Sequence, residues 1–391
     1  MENIKCKYSK KCGGCSHIGE DYSSYLSEKE KWVNDLLGEF MPEGYGKIIR
    51  IQGMKEPYHY RHKVNAAFGR NAKGEIISGV YQEGTHKIVN IDECMIEHSE
   101  ADSIIRDIRG MLRSFKIKVY DEDLGTGLLR HVMVRVSRST GEIMVILVVA
   151  SPVFPSKNNF VKALRAKHPA ISTVVLNVND KHTSMVLGRR DIVLYGKGRI
   201  KDRLCGVDFM LSPQSFFQVN PEMTEKIYRT AIDFAKLKKE TEVIDAYSGI
   251  GTISLIAAQQ SADVTGVELN GEAVSDARKN AEMNRIKNVR FAEGDAGDFM
   301  VELAEKGSDQ AAVKDKVVFM DPPRSGSSTV FLESLIKYSP DRVVYISCNP
   351  ETLARDLGFL SEHGYMAKRA MAFDQFPWTA GCEVVMLLQK K

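Results

Sequence analysis

The alternation of apolar and polar positions divides the chain of 391 residues into three stretches. Residues 1–20 show no periodicity, whereas residues 22–40 repeat apolar side chains at helical spacing with charged residues between them. From about residue 47 to residue 212 most of the pattern is that of strands, and helices are predicted over 99–115 and 159–168. This middle stretch is predicted to be an α+β unit with antiparallel pairing. Its predicted strands are 63–68, 76–80, 132–137, 143–149 and 173–178.

Beyond residue 212 strands and helices alternate. A helix with proline in its first turn is predicted over 221–236, and helices over 271–285 and 350–363 separate later strands. The strands predicted here are 242–245, 262–268, 289–291, 316–321, 342–347 and 384–388. Such alternation implies an α/β fold with a parallel, doubly wound sheet. The predicted units are a cysteine-rich N-terminal segment with its helix (1–46), a central α+β RNA-binding domain (47–212) and a Rossmann-like domain (213–391).

Composition and charge narrow the class of protein. The chain is 43% hydrophobic and 27% charged, which is ordinary for a globular protein. No apolar run approaches the ~20 residues that span a bilayer, and the start lacks a signal-peptide core, so we expect a cytoplasmic protein. The net charge of +3 conceals a basic excess in residues 1–220 and an acidic excess in residues 221–391. This asymmetry is typical of a protein in which a basic module binds a polyanion and a second module is catalytic. The alternative is a basic surface that only faces solvent.

Polar motifs follow three of the predicted strands in the last unit. They are Asp245-Ala-Tyr-Ser-Gly-Ile-Gly251, Asp321-Pro-Pro-Arg324 and Ser347-Cys348-Asn349-Pro350. Ligands and catalytic groups of open α/β sheets gather at the carboxyl ends of strands. We therefore interpret the three motifs as one active site, and the thiol indicates covalent chemistry.

The first motif predicts a nucleotide-like cofactor. Gly249 and Gly251 allow close approach of a ligand, and the helix beginning near Thr252 offers free N–H groups. Glu268 ends the next strand, where its carboxylate can accept both ribose hydroxyls, and Asp295 after the third strand suits an adenine amino group. NAD would fit Glu268 as well, but the third glycine of the dinucleotide motif is missing. The set resembles the pocket of S-adenosylmethionine-dependent methyltransferases; helix caps and turn residues are the alternative.

A thiol beside such a pocket suits methylation of a pyrimidine at C5, which is a weak carbon nucleophile. Addition of the Cys348 thiolate to C6 would make C5 reactive towards a methyl sulfonium, and a base must then remove the C5 proton. Cys348 is therefore the candidate nucleophile, with a buried structural cysteine as the alternative. Asp321 can accept the N3–H of uracil, and the two prolines after it stiffen its loop.

These motifs resemble those of the S-adenosylmethionine-dependent RNA uracil-C5 methyltransferases, bacterial type with an iron–sulfur cluster. The resemblance covers nearly the whole chain and also rests on 213–220, 345–355 and 374–383. It implies that Cys348 is the nucleophile, that Glu383 is the base, and that Asp321 lies between cofactor and base. The cofactor contacts that it implies are Gln218, Tyr247, Thr252, Glu268 and Asp295. Family members usually carry histidines before the base; here Trp378 and Gly381 stand there, which questions histidine assistance but not Glu383.

Four cysteines predict a metal site in the first half of the chain. The spacing Cys6-x5-Cys12-Gly-Gly-Cys15, with Cys94 far downstream, supplies four thiolates for a [4Fe–4S] cluster or for zinc. Spacing alone does not choose between them, whereas the family resemblance implies a [4Fe–4S] cluster. The spacing differs from that of radical S-adenosylmethionine enzymes, so we expect a structural cluster.

The substrate predicted by the resemblance is RNA whose target uridine lies in a loop or is flipped out of its helix. Residues 58–63 mix aromatic rings with cations, as single-strand binders do. Many members begin with a small β-barrel RNA-binding domain; this chain starts almost directly at the cysteines, so we expect the central domain to carry more of the RNA recognition. The Cys-Gly-Gly-Cys pattern is similar to that of members acting on 23S rRNA. The T-loop uridine of tRNA is an alternative, as is a non-catalytic RNA-binding iron–sulfur protein, and we expect a monomer without membrane contact.

Overall fold

The computed structural model describes residues 5–42, 49–82, 84–306 and 315–391. The predicted boundary between residues 46 and 47 lies outside these ranges. Its helices are α1 (Ser9–Cys12), α2 (Tyr22–Leu37), α3 (Ser99–Met111), α4 (Lys157–Lys167), α5 (Pro221–Ala235), α6 (Thr252–Ala257), α7 (Gly271–Met283), α8 (Ala296–Lys306), α9 (Thr329–Tyr338) and α10 (Pro350–Glu362), with a 3-10 turn over Gly38–Phe40. None of the described helices is both long and apolar enough to cross a membrane.

The strands fall into two large sheets and one hairpin. In chain order they are β1 (Ile51–Gln52), β2 (Lys63–Arg70), β3 (Ile76–Tyr81), β4 (Ile88–Asn90), β5 (Leu129–Val136), β6 (Ile143–Val149), β7 (Ile171–Val178), β8 (Arg190–Tyr195), β9 (Ile200–Leu204), β10 (Val207–Leu211), β11 (Glu242–Asp245), β12 (Asp263–Glu268), β13 (Val289–Glu293), β14 (Lys316–Met320), β15 (Arg342–Ser347), β16 (Tyr365–Phe373) and β17 (Glu383–Lys390).

The catalytic sheet has the order β1-β16-β17-β15-β14-β11-β12-β13 over the described residues. Strands β11 to β15 are mutually parallel, and their apolar runs are buried between helices. The prediction of a wholly parallel sheet is wrong for the last strand, because β17 runs antiparallel to both β15 and β16. Only residues 374–382 connect β16 to β17, too few for a crossover connection, so the chain reverses direction.

The central sheet has the order β4-β3-β2-β5-β6-β7-β8. Its pairs are antiparallel except β6–β7, which α4 connects as a crossover helix. Helices α3 and α4 cover one face, where residues such as Ile104 and Phe160 form a separate core. Met133 and Ile146 on the opposite face share a core with Ile227 of α5. The central sheet therefore shares an apolar core with α5, the helix that packs on strands β15 to β17.

Two short segments pack with the C-terminal unit, although their positions in the sequence fall within the predicted central domain. Ile51–Gln52 pairs with β16 and so joins the catalytic sheet, although it was assigned to the central domain. The hairpin β9–β10 docks on α7, where Asn280 Oδ1 accepts from Met210 N at 2.8 Å and Asn284 Oδ1 from Asp208 N at 3.0 Å. Both corrections have the same cause, since pairing partners distant in sequence decide where a short strand belongs.

Candidate active site

The antiparallel pair β15–β17 brings the candidate nucleophile and the candidate base together. Ser347 pairs with Val384, so Cys348 follows one strand at the point where Glu383 begins the other. Strand β14 lies on the other side of β15 and ends just before Asp321. All three predicted catalytic side chains therefore come to one edge of the sheet.

Burial and mutual repulsion dominate the electrostatics of this edge. Burial raises the pKa of the half-buried Cys348 thiol to about 11; the charges of Glu383 and Asp321 add to the shift and Arg324 opposes it. Glu383 is only 4% exposed, and burial together with Asp321 raises its pKa well above the usual range. Burial and the neighbouring Asp245 raise the pKa of Asp321 to about 7. The pKa of Asp321 thus lies near neutrality, and both carboxyl groups hold a proton more tightly than exposed ones.

The glycine loop is held in place by a buried carboxylate. Asp245 Oδ2 accepts hydrogen bonds from Ser254 N at 2.9 Å and from Ser254 Oγ at 2.6 Å. Gly249 and Gly251 adopt left-handed φ angles of 54° and 84°. A Cβ at Gly251 would meet the Phe291 ring at 2.8 Å, whereas one at Gly249 would meet nothing within 4 Å. Open space beside Gly249 therefore allows a ligand to approach the backbone.

Acidic residues at the next two strand ends keep capacity for a ligand. Glu268 Oε2 accepts from Gly249 N at 3.0 Å and its Oε1 accepts from Asn270 N at 2.7 Å. Each of these oxygens has a second lone pair for a ribose hydroxyl. Asp295 is exposed and caps α8 by accepting from Gly297 N at 2.7 Å. The helix-cap alternative therefore describes part of what Asp295 does.

Two further predicted cofactor residues, Tyr247 and Gln218, are held by contacts with neighbouring side chains. The Tyr247 hydroxyl is 3.4 Å from Ser327 Oγ, and its ring is 5.6 Å from that of Phe331. Gln218 is half-buried and its Oε1 accepts from Gln375 Nε2 at 3.4 Å. Gln218 is thereby linked to the segment that leads to Glu383.

Tyr228 of α5 is a member of the site that the sequence analysis missed. It is 4% exposed and hydrogen-bonds with the side chain of Thr252. Burial, and then the charges of Asp321, Asp245 and Glu383, raise its pKa far above the usual range, so the phenol stays protonated. The sequence signal was weak, since Tyr228 lies on the apolar face of a helix and reads as a core residue.

The segment before Glu383 is anchored by the N-terminal helix α2. Asp374 is fully buried and accepts hydrogen bonds from Tyr22 Oη at 2.8 Å, Tyr25 Oη at 3.1 Å and Lys29 Nζ at 2.6 Å. Trp378, at the position where the family usually carries histidine, is 2% exposed and stacks on Tyr25 with centroids 5.8 Å apart. The tryptophan therefore packs this segment, and its indole N–H, which does not titrate as an imidazole would, donates to Pro57 O at 2.8 Å.

Comparison with known proteins identifies the family. A family model described as tRNA (Uracil-5-)-methyltransferase matches residues 21–391. The chain belongs to this family. It is 42% identical over 391 residues to an uncharacterized RNA methyltransferase of Halalkalibacterium halodurans, covering 99% of this chain and 83% of that protein. A second uncharacterized RNA methyltransferase, from Caldanaerobacter subterraneus subsp. tengcongensis, is 41% identical over 388 residues, covering 99% and 84%.

A solved structure agrees over both domains. The Pyrococcus abyssi tRNA (uracil-54, C5)-methyltransferase in complex with S-adenosyl-L-homocysteine has a TM-score of 0.78 and 26% identity, covering 96% of this chain and 85% of that one. The predicted α/β methyltransferase domain with a preceding β-rich domain is confirmed. The protein is an S-adenosylmethionine-dependent RNA (uracil-5)-methyltransferase, as the motifs predicted. The alternative of a non-catalytic RNA-binding protein is therefore wrong.

The four predicted metal ligands come from two segments that a hydrogen bond joins. Asp92 N donates to Tyr8 Oη at 3.0 Å, which brings the loop of the first three cysteines beside the segment of the fourth. Within the described ranges, no three of these sulfur atoms lie within 4.8 Å of one another. All four predicted ligands are half-buried: Cys6, Cys12, Cys15 and Cys94.

The predicted RNA-binding stretch 58–63 is packed more tightly than its composition indicated. Tyr60 is 3% exposed and donates from its hydroxyl to a backbone carbonyl at 3.0 Å, and Tyr58 stacks on Trp378. The prediction that these rings are available to RNA is therefore wrong for Tyr60. Lys63 stays half-buried, and burial together with Arg135 lowers its pKa to about 8.

Proposed function

We propose that Cys348 attacks C6 of the target uridine and that methylation proceeds through a covalent protein–RNA adduct. The observation that carries the proposal is the β15–β17 register, which joins a half-buried thiol to a buried carboxyl group at one strand end. A structural cysteine would need no carboxyl neighbour. Here Glu383 lies close enough to Cys348 for its negative charge to raise the pKa of the thiol.

The steps balance with the residues at hand. The Cys348 thiolate forms the Sγ–C6 bond, and the displaced electron pair makes C5 nucleophilic. S-adenosylmethionine supplies the methyl group that C5 accepts. Glu383 then takes the C5 proton, and the returning electron pair breaks the Sγ–C6 bond and releases the thiolate. Asp321 accepts the N3–H of the uracil and holds the ring in the plane that these transfers require.

Before RNA binds, Cys348 is held as the thiol, whose proton must pass to solvent before the thiolate attacks C6. The pKa of Cys348 is raised to about 11, so the thiol carries its proton at neutral pH. The raised pKa of Glu383 makes its carboxylate a stronger base for the C5 proton than an exposed glutamate. Arg324, which the sequence analysis assigned no role, lowers both pKa values and so favours the charged forms.

The cofactor is proposed to lie along the first three strand ends. Glu268 holds the ribose through its remaining lone pairs, and Asp295 accepts from the adenine amino group. Gly249 leaves space for close contact, and Thr252, at the start of α6, hydrogen-bonds with Tyr228. The remaining proposed contacts are Gln218, Tyr247, Gly251 and Asp321.

Two variants test the covalent step. Cys348→Ala should lose methyl transfer at least a thousandfold while binding S-adenosylhomocysteine as tightly as the wild type, since Cys348 is not a cofactor contact. Glu383→Gln should accumulate a protein–RNA adduct that survives a denaturing gel, because elimination needs the base. Turnover of Cys348→Ala near the wild-type rate would refute covalent catalysis, and a Glu383→Gln enzyme without adduct would refute the assigned base.

The proposed target is a uridine of 23S rRNA, supported by the similarity of the Cys-Gly-Gly-Cys pattern to members acting there. The Pyrococcus abyssi structure, whose protein acts on uracil 54 of tRNA, favours a second candidate, the T-loop uridine of tRNA. The test incubates the enzyme with S-adenosylmethionine and unmodified transcripts of both RNAs, and maps 5-methyluridine by mass spectrometry. Methylation of the tRNA alone would contradict the first choice.

The four thiols are proposed to hold a [4Fe–4S] cluster with a structural role. Their donor set of four thiolates fits such a cluster. Anaerobically purified protein should be brown and contain about four irons per chain. Cys94→Ala should lose iron and stability together, whereas a colourless protein with one zinc would refute the cluster.

A further inference from the structure

The central domain carries a cleft of about 600 Å³ that none of the catalytic motifs enters. Its floor is the part of the sheet formed by β2, β3 and β5. Because side chains alternate along a strand, Asn65 and Ala67 share a face, and Ala67 is paired with Gly79 on one side and His131 on the other. Tyr81, two residues after Gly79, projects on the same face. Residues 182–186 form a wall of the cleft.

Two polar atoms in this cleft are buried without a partner. Nδ1 of His131 and Oδ1 of Asn65 accept or donate no hydrogen bond within the described part of the chain. His131 is 8% exposed, and burial lowers its pKa to about 4, so the imidazole is neutral with one donor and one acceptor nitrogen. Buried polar atoms are otherwise satisfied in native proteins, so the pair is suited to a ligand that supplies the missing bonds.

Among the described residues that line the cleft, Arg130 supplies the guanidinium, and it is already engaged. Arg130 binds Glu122 through two bonds of 2.9 and 2.7 Å and donates to the carbonyls of Asn179 at 3.0 Å and Lys181 at 2.7 Å. It therefore fixes the chain that leads to His182 and is not available to a phosphate. The lining also carries the Glu122 carboxylate, which pairs with Arg130, and His86, whose Nδ1 is 2.9 Å from Asp123 Oδ1. The Tyr81 ring lies 6.2 Å from that of His131. This chemistry fits a nucleobase better than an anion.

The cleft is connected to the active site through its wall. The same chain continues to Gly188, whose carbonyl oxygen accepts from Gln214 Nε2 at 2.9 Å. Gln214 lies four residues before Gln218, the proposed cofactor contact. On the sheet itself, Met133 follows His131 on the same face and packs into the core shared with the catalytic domain. The cleft therefore lies beside the core that the central sheet shares with the catalytic domain, next to the chain that connects to Gln214.

We propose that the cleft binds an unpaired base of the substrate RNA other than the target uridine. Tyr81 stacks on the base, Asn65 Oδ1 accepts from a ring or exocyclic N–H, and the His131 imidazole hydrogen-bonds with the adjacent edge atom. The proposal rests on the proposed function, in that the RNA is the methylated one. Adenine, with an amino group beside a ring nitrogen, is the simplest probe.

The direct test uses saturation-transfer NMR with AMP, and with ribose 5-phosphate as the ligand without a base. The cofactor pocket is first saturated with S-adenosylhomocysteine, because it would also take an adenosine. AMP should be saturated by the wild-type enzyme and ribose 5-phosphate should not. Asn65→Leu and His131→Leu should remove the AMP signal, whereas Gln260→Leu, the same loss of an amide at an exposed position outside the cleft, should keep it.

The second test uses whichever of the two transcripts the wild type methylates. Asn65→Leu and His131→Leu should raise KM for RNA about tenfold, the usual scale of one base contact, with kcat within twofold. One abasic position outside the target should raise KM in the wild type and have no further effect in these variants. AMP binding with unchanged KM, or no AMP signal with the wild type, would overturn the proposal. Absence of 5-methyluridine from both transcripts would instead reject the proposed function and leave the AMP result readable on its own.

Discussion

The strand ends that carry Cys348, Asp321 and Glu383, the proposed catalytic edge, and the cleft of the central domain both bury ionisable groups. Burial shifts their pKa values in opposite directions in the two regions. Burial disfavours whichever form is charged. At the catalytic edge it raises the pKa of Asp245 to about 6 and of Asp321 to about 7, whereas in the cleft it lowers that of His131 to about 4. The edge therefore holds groups that exchange protons near neutrality, and the cleft holds a group that stays neutral. The first arrangement suits a reaction and the second suits recognition.

The two regions also differ in how the chain builds them. The catalytic edge uses loops that follow strand ends, so each motif is contiguous in sequence. The cleft uses alternate residues of antiparallel strands, for example Asn65 and Ala67, with His131 opposite them. A contiguous motif is visible in one sequence, whereas an alternating set resembles an ordinary half-buried sheet.

The buried ion pair between Lys29 and Asp374 gives the largest expected effect on stability. Removing one partner leaves the other charge buried and unpaired. Asp374→Ala leaves Lys29 buried without its partner and should lower the free energy of unfolding by about 3–5 kcal/mol. Chemical denaturation measures the change. Asp263→Ala removes a carboxylate from an exposed pair with Arg290 and should cost about 1 kcal/mol or less. Equal losses in the two variants would mean that α2 does not anchor the catalytic edge.

The neutral imidazole of His131 in the cleft should make the free energy of unfolding fall at acid pH. His131 binds a proton less readily in the folded than in the unfolded protein, so its contribution is present above pH 6.5 and is lost as the pH falls towards about 4. Between pH 7 and pH 5 the wild type should lose about 2 kcal/mol that His131→Leu does not lose. Denaturation at both pH values measures the difference. Parallel pH dependence of the two proteins would show that the imidazole is not buried as described.

Much of the fold was predictable because its signals are local. The strands of the parallel sheet were found from apolar runs, and Cys348 and Asp321 from the turns that follow them. The direction of β17 and the short strand β1 were not predicted, since pairing with a distant strand decides both. Tyr228 was missed for a related reason, because only the folded chain brings that helix face to the strand ends.

The catalytic edge should respond to pH in the opposite direction from the cleft. A pKa of Glu383 raised above its ordinary 4.5 means that the folded protein holds the proton more tightly, so stability is fully present below pH 4.5 and declines as the pH rises through the raised pKa. Glu383→Gln cannot ionise and should melt at a higher temperature than the wild type at pH 8, by about 2–4 °C for each kcal/mol recovered. The gain should shrink at pH 5. A variant that melts lower than the wild type at pH 8 would contradict a buried, destabilising carboxylate.

The smallest expected effect is a change in the pKa of the Cys348 thiol. It separates the contribution of the Glu383 charge to that pKa from the contribution of burial. Glu383 is the largest charge that raises the pKa of Cys348, and burial contributes more than any charge. In Glu383→Gln only the charge is removed, so the pKa should fall part of the way from about 11 and the thiolate fraction at pH 8 should rise several-fold. Alkylation by iodoacetamide, followed by peptide mass spectrometry, reports the rate at each cysteine. Cys205 is the internal control, since burial raises its pKa to about 11 without Glu383, and its rate should be the same in both proteins. Acceleration at both cysteines would indicate loosening of the fold, and acceleration at neither would show that Glu383 carries no charge near Cys348 in the free enzyme.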